Sequence, residues 1–424
     1  MRDGAVAVAG GRIIDVGPAE ALRARHPGAP VTDLGRALLL PGLVDAHCHL
    51  EWSLLDGVLA PSGFSEWLGG LLPLRARMRA RDHEAAARLG ALRALRSGVT
   101  TLADSGPMGA GAAAMAELGL GGAVHLEAFG RKEGGAARAA AAAMAERLGA
   151  LDEVAGAGVR VGLSPHAPYT VGPGLWAALA AEPGLAARPW ATHLAESDDE
   201  EMAIGAGEGP LAELFAAAGF VPARWDGPPG ASSVERVARA GGLRPGMVAA
   251  HCVRLGPGDP ETLRGGGVAV AHCPRSNAHL RCGRAPLGAL RAAGVTVALG
   301  TDSPASGGDY DPRAEARACA RTHAGDGAPG ATGLLRMITL DGARALGLDG
   351  EAGALAPGRR ADLLALRPAP GAPGDDPCAA ALDAGTVVEV VVAGGEPLVE
   401  GGRPVRADAD AIEAAAREAR DRLC

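Results

Sequence analysis

Two histidines stand two residues apart in Asp45-Ala46-His47-Cys48-His49, which closes the apolar run Leu38-Leu39-Leu40-Pro41-Gly42-Leu43-Val44. On an extended chain, residues i and i+2 point to the same side, so two imidazoles just past a buried strand can hold one metal ion. The pair alone says little. Its weight comes from recurrence, because side chains of the same type end later apolar segments: Asp104, His166, His193, His251, His272 and Asp302. Neutral imidazoles with a carboxylate suit one divalent first-row metal, zinc first and iron second. His47, His49, His193 and Asp302 form a set with a position left for water, the open arrangement that catalysis needs. Glu196, three residues after His193, is placed to reach the same cavity as a proton carrier. His251 is placed to orient or deprotonate the water, and a fifth ligand is the other role open to it.

These residues need a scaffold that gathers strand ends. Apolar β-type segments lie at 38–44, 99–103, 122–128, 158–163, 189–192, 246–250, 268–271 and 295–299. Ala/Leu/Arg/Glu-rich helical stretches fall between them, among others at 83–97, 135–151, 173–186, 208–218, 285–293 and 312–323. Strands alternating with helices pair in parallel, and a closed α/β barrel of the (β/α)8 type is the economical arrangement, with function at the C-terminal strand ends. An open doubly wound sheet is the alternative, but no G-x-G-x-x-G opens a helix after the first strand. The two ends have another texture. Ala5–Val8 and Arg12–Val16 near the start, and Gly385–Val392 and Pro397–Val405 near the end, read as strand–turn–strand patterns. They predict one small β-sandwich domain built from both termini. The expected division is 1–40 for its first part, 41–347 for the barrel, and 348–424 for its return and a terminal helix, with 368–377 as a loop. Because the chain enters directly in a strand, its start is expected upstream.

Composition narrows the partners. The 424 residues are 48% hydrophobic with a net charge of −8 and no basic run, which excludes a nucleic-acid surface. No apolar stretch approaches about 18 residues and no signal peptide opens the chain, so neither a membrane nor an exported location is expected, and the cytoplasm is. The seven cysteines include no C-x-x-C, which leaves neither a zinc ribbon nor a redox pair. A small-molecule substrate is the expected partner. A homodimer is one assembly open to the chain.

The motifs together resemble the amidohydrolase superfamily. They are Leu40-Pro41-Gly42-Leu43-Val44-Asp45-Ala46-His47-Cys48-His49, Thr192-His193-Leu194-Ala195-Glu196, Ala250-His251-Cys252-Val253, His272-Cys273-Pro274-Arg275-Ser276-Asn277 and Gly300-Thr301-Asp302-Ser303. They are most similar to the mononuclear deaminase and chlorohydrolase branch, and the likeness runs to the closing Leu355-Ala356-Pro357-Gly358-Arg359-Arg360-Ala361-Asp362-Leu363. The resemblance implies that His47, His49, His193 and Asp302 bind one metal, that Glu196 shuttles protons, and that His251 and Asp302 activate water. Two-metal members use a carboxylated lysine ending the fourth strand. Val159-Arg160-Val161-Gly162-Leu163-Ser164 carries none, and Lys132 is the only lysine in the chain. The other zinc deaminase design needs H-x-E with P-C-x-x-C. His49-Leu50-Glu51 and His125-Leu126-Glu127 match its first half, but P-C-x-x-C is missing.

Gly63-Phe64-Ser65-Glu66-Trp67-Leu68 and Ser164-Pro165-His166-Ala167-Pro168-Tyr169-Thr170-Val171 resemble the adenine-nucleoside deaminases of this branch. There the tryptophan packs on the ligand and the histidine contacts it, which implies substrate-binding roles for Trp67 and His166. The plainer readings are a core tryptophan and a turn histidine. Relatives acting on S-adenosylhomocysteine and methylthioadenosine place a glutamate about where Arg75 stands in Leu72-Pro73-Leu74-Arg75. An arginine there suits an anionic group through a forked ion pair, with a solvated helix residue as the plainer reading. The Pro-Arg-Ser-Asn and His-x-Ala-Glu forms, with Gly209-Pro210-Leu211, are most similar to the aminodeoxyfutalosine deaminases of the futalosine menaquinone pathway. Their substrate is an adenine nucleoside bearing a carboxylated aromatic ring. Deamination of S-adenosylhomocysteine, methylthioadenosine or guanine, chloride hydrolysis at the same site, and a non-catalytic ligand-binding member are the alternatives.

Overall fold

The structure is a computed structural model that describes residues 1–325 and 327–424. Its strands, in chain order, are β1 (Gly4–Ala9), β2 (Arg12–Pro18), β3 (Leu38–Pro41), β4 (Leu43–Cys48), β5 (Val99–Gly106), β6 (Gly121–Ala128), β7 (Val159–Pro165) and β8 (Ala191–Leu194). There follow β9 (Val248–His251), β10 (Ala269–His272), β11 (Val297–Leu299), β12 (Leu363–Arg367), β13 (Val387–Ala393), β14 (Glu396–Glu400) and β15 (Arg403–Pro404). The strands β4 to β11 form the barrel, as two parallel four-stranded runs, β4-β5-β6-β7 and β8-β9-β10-β11. Leu163 pairs with Trp190 to join the runs on one side. On the other, Cys48 pairs with Asp302, the Asp302 amide donates to the His47 carbonyl at 3.0 Å, and the His49 amide donates to the Asp302 carbonyl at 3.2 Å.

Strands buried on both faces read as unbroken apolar runs, which is why all eight segments were visible. The barrel interior is filled by small side chains, among them Val44, Ala46, Ala103, Ala191, Val248, Ala271 and Ala298. The first segment needs a correction. It is not one strand over 38–44 but two, with β3 in a different sheet from β4. Pro41 ends β3, and Gly42 carries the chain so close to Thr100 that a Cβ would lie 2.1 Å from its hydroxyl oxygen. The stretch 173–186 also divides, into a helix over Pro173–Ala181 and a short turn over Pro183–Leu185, because Pro183 cannot continue the helix.

The small β domain comes from both ends of the chain. Its five-stranded antiparallel sheet runs β15-β14-β13-β12-β3, and the hairpin β1-β2 is tied on by backbone bonds such as Ile13 to Arg359 at 2.9 Å. The helix Ala409–Leu423 then returns to the barrel, where Arg422 meets Asp82 at 2.7 Å. No helix among the described residues is long and apolar enough to cross a membrane.

Candidate active site

His47 and His49 end β4, His166 follows β7, His193 sits in β8 with Glu196 just past it, His251 ends β9, and Asp302 follows β11. All are buried. The backbone is bent to aim them. Ala195, His251, Cys252 and Asp302 adopt φ of 53°, 72°, 48° and 57°, the left-handed region that non-glycine residues rarely enter and that clusters at functional sites.

The imidazole protons can be placed from their partners. His49 Nδ1 lies 2.8 Å from the Ser105 carbonyl, and His193 Nδ1 lies 2.7 Å from the His166 carbonyl. A carbonyl only accepts, so both Nδ1 atoms carry hydrogen and both Nε2 atoms carry lone pairs. Yet those two Nε2 atoms face each other at 3.1 Å, with Asp302 Oδ1 3.3 Å from that of His49 and 3.8 Å from that of His47. The buried His47 Nε2 has no hydrogen-bond partner. Burial and mutual repulsion push His47, His49 and His193 below their ordinary values, His193 to about 3, so they stay neutral. Burial pushes Asp302 up, but the surrounding imidazoles and the Ser276 hydroxyl outweigh it and hold the carboxyl below its usual range. Ring nitrogens converging beside a carboxylate oxygen, with the outer nitrogens of His49 and His193 anchored, are what a divalent cation requires. The donor set fits one.

Around this cage the remaining groups are oriented. Asp302 Oδ2 accepts from Ser276 Oγ at 2.5 Å and Ser306 Oγ at 3.0 Å, which turns Oδ1 to the imidazoles. Asp45 accepts from the Thr301 amide and hydroxyl at 3.0 and 2.5 Å and so pins the loop carrying Asp302 to β4. His251 Nδ1 lies 3.0 Å from Asn277 Oδ1, and its Nε2 lies 3.5 Å from Glu196 Oε1. His251 is also near enough to His47 and Asp302 to share a cation with them, so a fifth ligand remains open to it. Burial lifts Glu196 to about 7, against the pull of His251. Glu200 positions it by accepting from the Ala195 and Glu196 amides at 2.9 and 3.0 Å.

A cavity of about 890 Å³ opens onto the cage, lined by His49, His166, His193, Glu196, His251 and Asp302. All four phenylalanines of the chain line it, together with Trp52, Trp67 and Tyr169. Trp67 fixes its ring by donating Nε1–H to the Ala305 carbonyl at 3.0 Å. Arg75 lines the cavity with its guanidinium 4.9 Å from the Phe129 ring centre and 5.7 Å from that of Trp52, so it is not a solvated helix residue. Two strand-end residues do not join this group. His272 meets His323 with 3.1 Å between their Nε2 atoms, and Asp104 accepts from the Leu50 amide at 2.8 Å. Sequence reasoning missed Glu127, Glu200 and Ser306. The first was legible only as part of His125-Leu126-Glu127.

Comparison with known proteins accords with this geometry. The model of the amidohydrolase family matches residues 38–397, and a bacterial imidazolonepropionase-like composite domain matches residues 4–29. The chain is similar to a 5-methylthioadenosine/S-adenosylhomocysteine deaminase of Moorella thermoacetica, 35% identical over 378 residues that cover 85% of this chain and 80% of that protein. Among solved structures it is similar to an adenosine deaminase from Xanthomonas campestris with bound zinc. That match has a TM-score of 0.83 and 28% identity and covers 100% of this chain and 94% of the other. An aminofutalosine deaminase from Helicobacter pylori, in complex with methylthio-coformycin, shares the fold with a TM-score of 0.79 at 21% identity, over 94% of this chain and 96% of that one.

Proposed function

We propose, on the premise that the chain belongs to the amidohydrolase family, that it is a metal-dependent aminohydrolase releasing ammonia from an adenine nucleoside. The observation that carries this reading is the convergence of His47, His49 and His193 ring nitrogens, with Asp302 Oδ1 beside those of His47 and His49 and a protonatable Glu196 nearby, at the floor of an aromatic cavity. His47, His49, His193 and Asp302 would hold one divalent ion, with zinc favoured by the donor set. When bound, that ion supplies Lewis acidity, which makes water a nucleophile near neutral pH.

The chain's own groups do the rest. Asn277 accepts the His251 Nδ1 proton, which leaves Nε2 to take a proton from the attacking water, with the Asp302 carboxylate beside it. Glu196, titrating near 7, gives its proton to the ring nitrogen next to the amine-bearing carbon. Water oxygen bonds to that carbon, and Glu196, now a carboxylate, takes the remaining proton of the added hydroxyl and passes it to the amine. The carbon–nitrogen bond breaks to release ammonia, and the proton held by His251 restores Glu196. Trp67 and the phenylalanines offer faces for the base, and His166 stands within the same cavity.

For the substrate, we favour 6-aminodeoxyfutalosine, whose carboxylated aromatic ring matches a wide aromatic cavity with Arg75 on its wall. The second reading, methylthioadenosine or S-adenosylhomocysteine, is supported by the names of relatives 30–35% identical to the chain. Ammonia release from aminodeoxyfutalosine, S-adenosylhomocysteine, methylthioadenosine, adenosine and guanine, with metal content measured on the same preparation, separates them. Adenosine or S-adenosylhomocysteine turned over far faster than aminodeoxyfutalosine would remove the first reading. Arg75→Ala is expected to lower kcat/KM for a carboxylated nucleoside by about 10- to 100-fold, the scale of a charged hydrogen bond. Methylthioadenosine, which has no charge to pair, should lose far less. Equal losses on both would end the role assigned to Arg75.

A further inference from the structure

Glu127 ends β6 inside the cavity, 4% exposed, and the mechanism above gives it nothing to do. A buried carboxylate is costly unless its oxygens receive hydrogen bonds. Among the described residues, none reaches them. His49 Nδ1 is 3.9 Å from Glu127 Oε1 but spends its proton on the Ser105 carbonyl. Burial pushes the Glu127 carboxyl up to about 8, against the through-space pull of the Arg75 guanidinium, which lies over the Trp52 and Phe129 rings. The carboxyl of Glu127 therefore faces the cavity with no hydrogen-bond partner among the described residues, and donors arriving there would hold it as a carboxylate.

We propose that Glu127 recognises the sugar of the substrate, its two carboxylate oxygens accepting hydrogen bonds from the neighbouring 2′ and 3′ hydroxyls of a ribonucleoside. The inference rests on the adenine-nucleoside reading and deepens it. An adenine nucleoside carries few hydrogen-bond donors. The 6-amino group must lie at the reacting end, beside Glu196 and Asp302, and the ring nitrogens of adenine carry no hydrogen when the base is attached to sugar. Only the sugar hydroxyls are left to meet an acceptor elsewhere in the cavity. Two adjacent hydroxyls on one face match the two oxygens of one carboxylate, the chemistry by which acidic residues hold ribose in dinucleotide sites. The position agrees, for Glu127 lies beside His166 and His193, its oxygen and their ring nitrogens all within 4.8 Å of one another, while Glu196 follows β8, two strands further round.

The test compares kcat/KM for adenosine, 2′-deoxyadenosine and 3′-deoxyadenosine on metal-loaded enzyme, for the natural chain and for Glu127→Ala and Glu127→Gln. The natural chain is expected to prefer adenosine over each deoxy analogue by about 10- to 100-fold. In Glu127→Ala the preference should collapse toward unity, with the loss in KM for adenosine, and Glu127→Gln should fall between. A natural chain that treats all three alike overturns the inference while leaving the deaminase reading standing, and this result does not depend on any variant folding. A Glu127→Ala enzyme that keeps the full preference also overturns it. If the enzyme acts only on aminodeoxyfutalosine, a Glu127→Ala variant whose KM for it rises less than about threefold overturns the inference. If no adenine nucleoside releases ammonia, the adenine-nucleoside reading falls and the inference with it.

Discussion

Glu196→Gln is expected to lower kcat by about 10²- to 10⁴-fold, the usual range for a positioned proton carrier, and to leave the metal content unchanged. Glutamine keeps the shape and the hydrogen-bonded backbone, since Glu200 holds the Ala195 and Glu196 amides whatever side chain follows. It cannot give or take a proton. The natural carboxyl titrates near 7 because burial disfavours its charge, so at neutral pH both forms are populated and one group can serve a ring nitrogen and then the leaving amine. Its Oε1 lies 3.5 Å from His251 Nε2 and is not one of the groups assigned to hold the ion, which is why the ion should stay. Steady-state ammonia release together with metal analysis checks both halves. Turnover above a tenth of normal would remove the shuttle.

Asp302→Asn should damage binding and rate together. Asp302 Oδ1 faces the Nε2 atoms of both His47 and His49. An amide –NH2 turned there would donate to those lone pairs and occupy the cage with hydrogen instead of a cation. Metal affinity is expected to fall by at least about 100-fold, beyond the 10- to 100-fold cost of altering an outer-shell partner. Even with excess metal, kcat should fall by about 10²-fold or more, because the carboxylate beside the water is gone. Metal retained after dialysis and kcat at saturating metal are the measurements. A variant that keeps one equivalent and a tenth of the rate would sink the assignment.

The eight barrel strands were legible because both their faces are buried, and the helices because Ala/Leu/Arg/Glu stretches fill the gaps. The division of 38–44 was not, since hydropathy runs on through Pro41-Gly42 while the chain changes sheets, an event decided by the close approach to Thr100. His272 shows another limit. It ends its strand as His251 does, yet its ring meets His323, and no local pattern separates the two. Arg75 reads as a polar position on a helix, and only the packing of Trp52 and Phe129 from distant segments turns it into a wall of the cavity. Glu127 escaped because a lone carboxylate has no spacing to announce it, and Glu200 because it stands in the acidic run Asp198-Asp199-Glu200-Glu201, which reads as the solvated first turn of a helix.

The cage also bears on how the fold is held shut. Three of its four ligands come from the opening strand of the barrel and from the loop after its last one, segments joined there by backbone contacts between His47, His49 and Asp302 and by the bonds from Thr301 to Asp45. A cation gripped there rivets the first and final turns of the wheel to each other. An ion at a thousandfold excess over its Kd would add about 4 kcal/mol to the folded state, so loading the cofactor would also strengthen the seam of the ring.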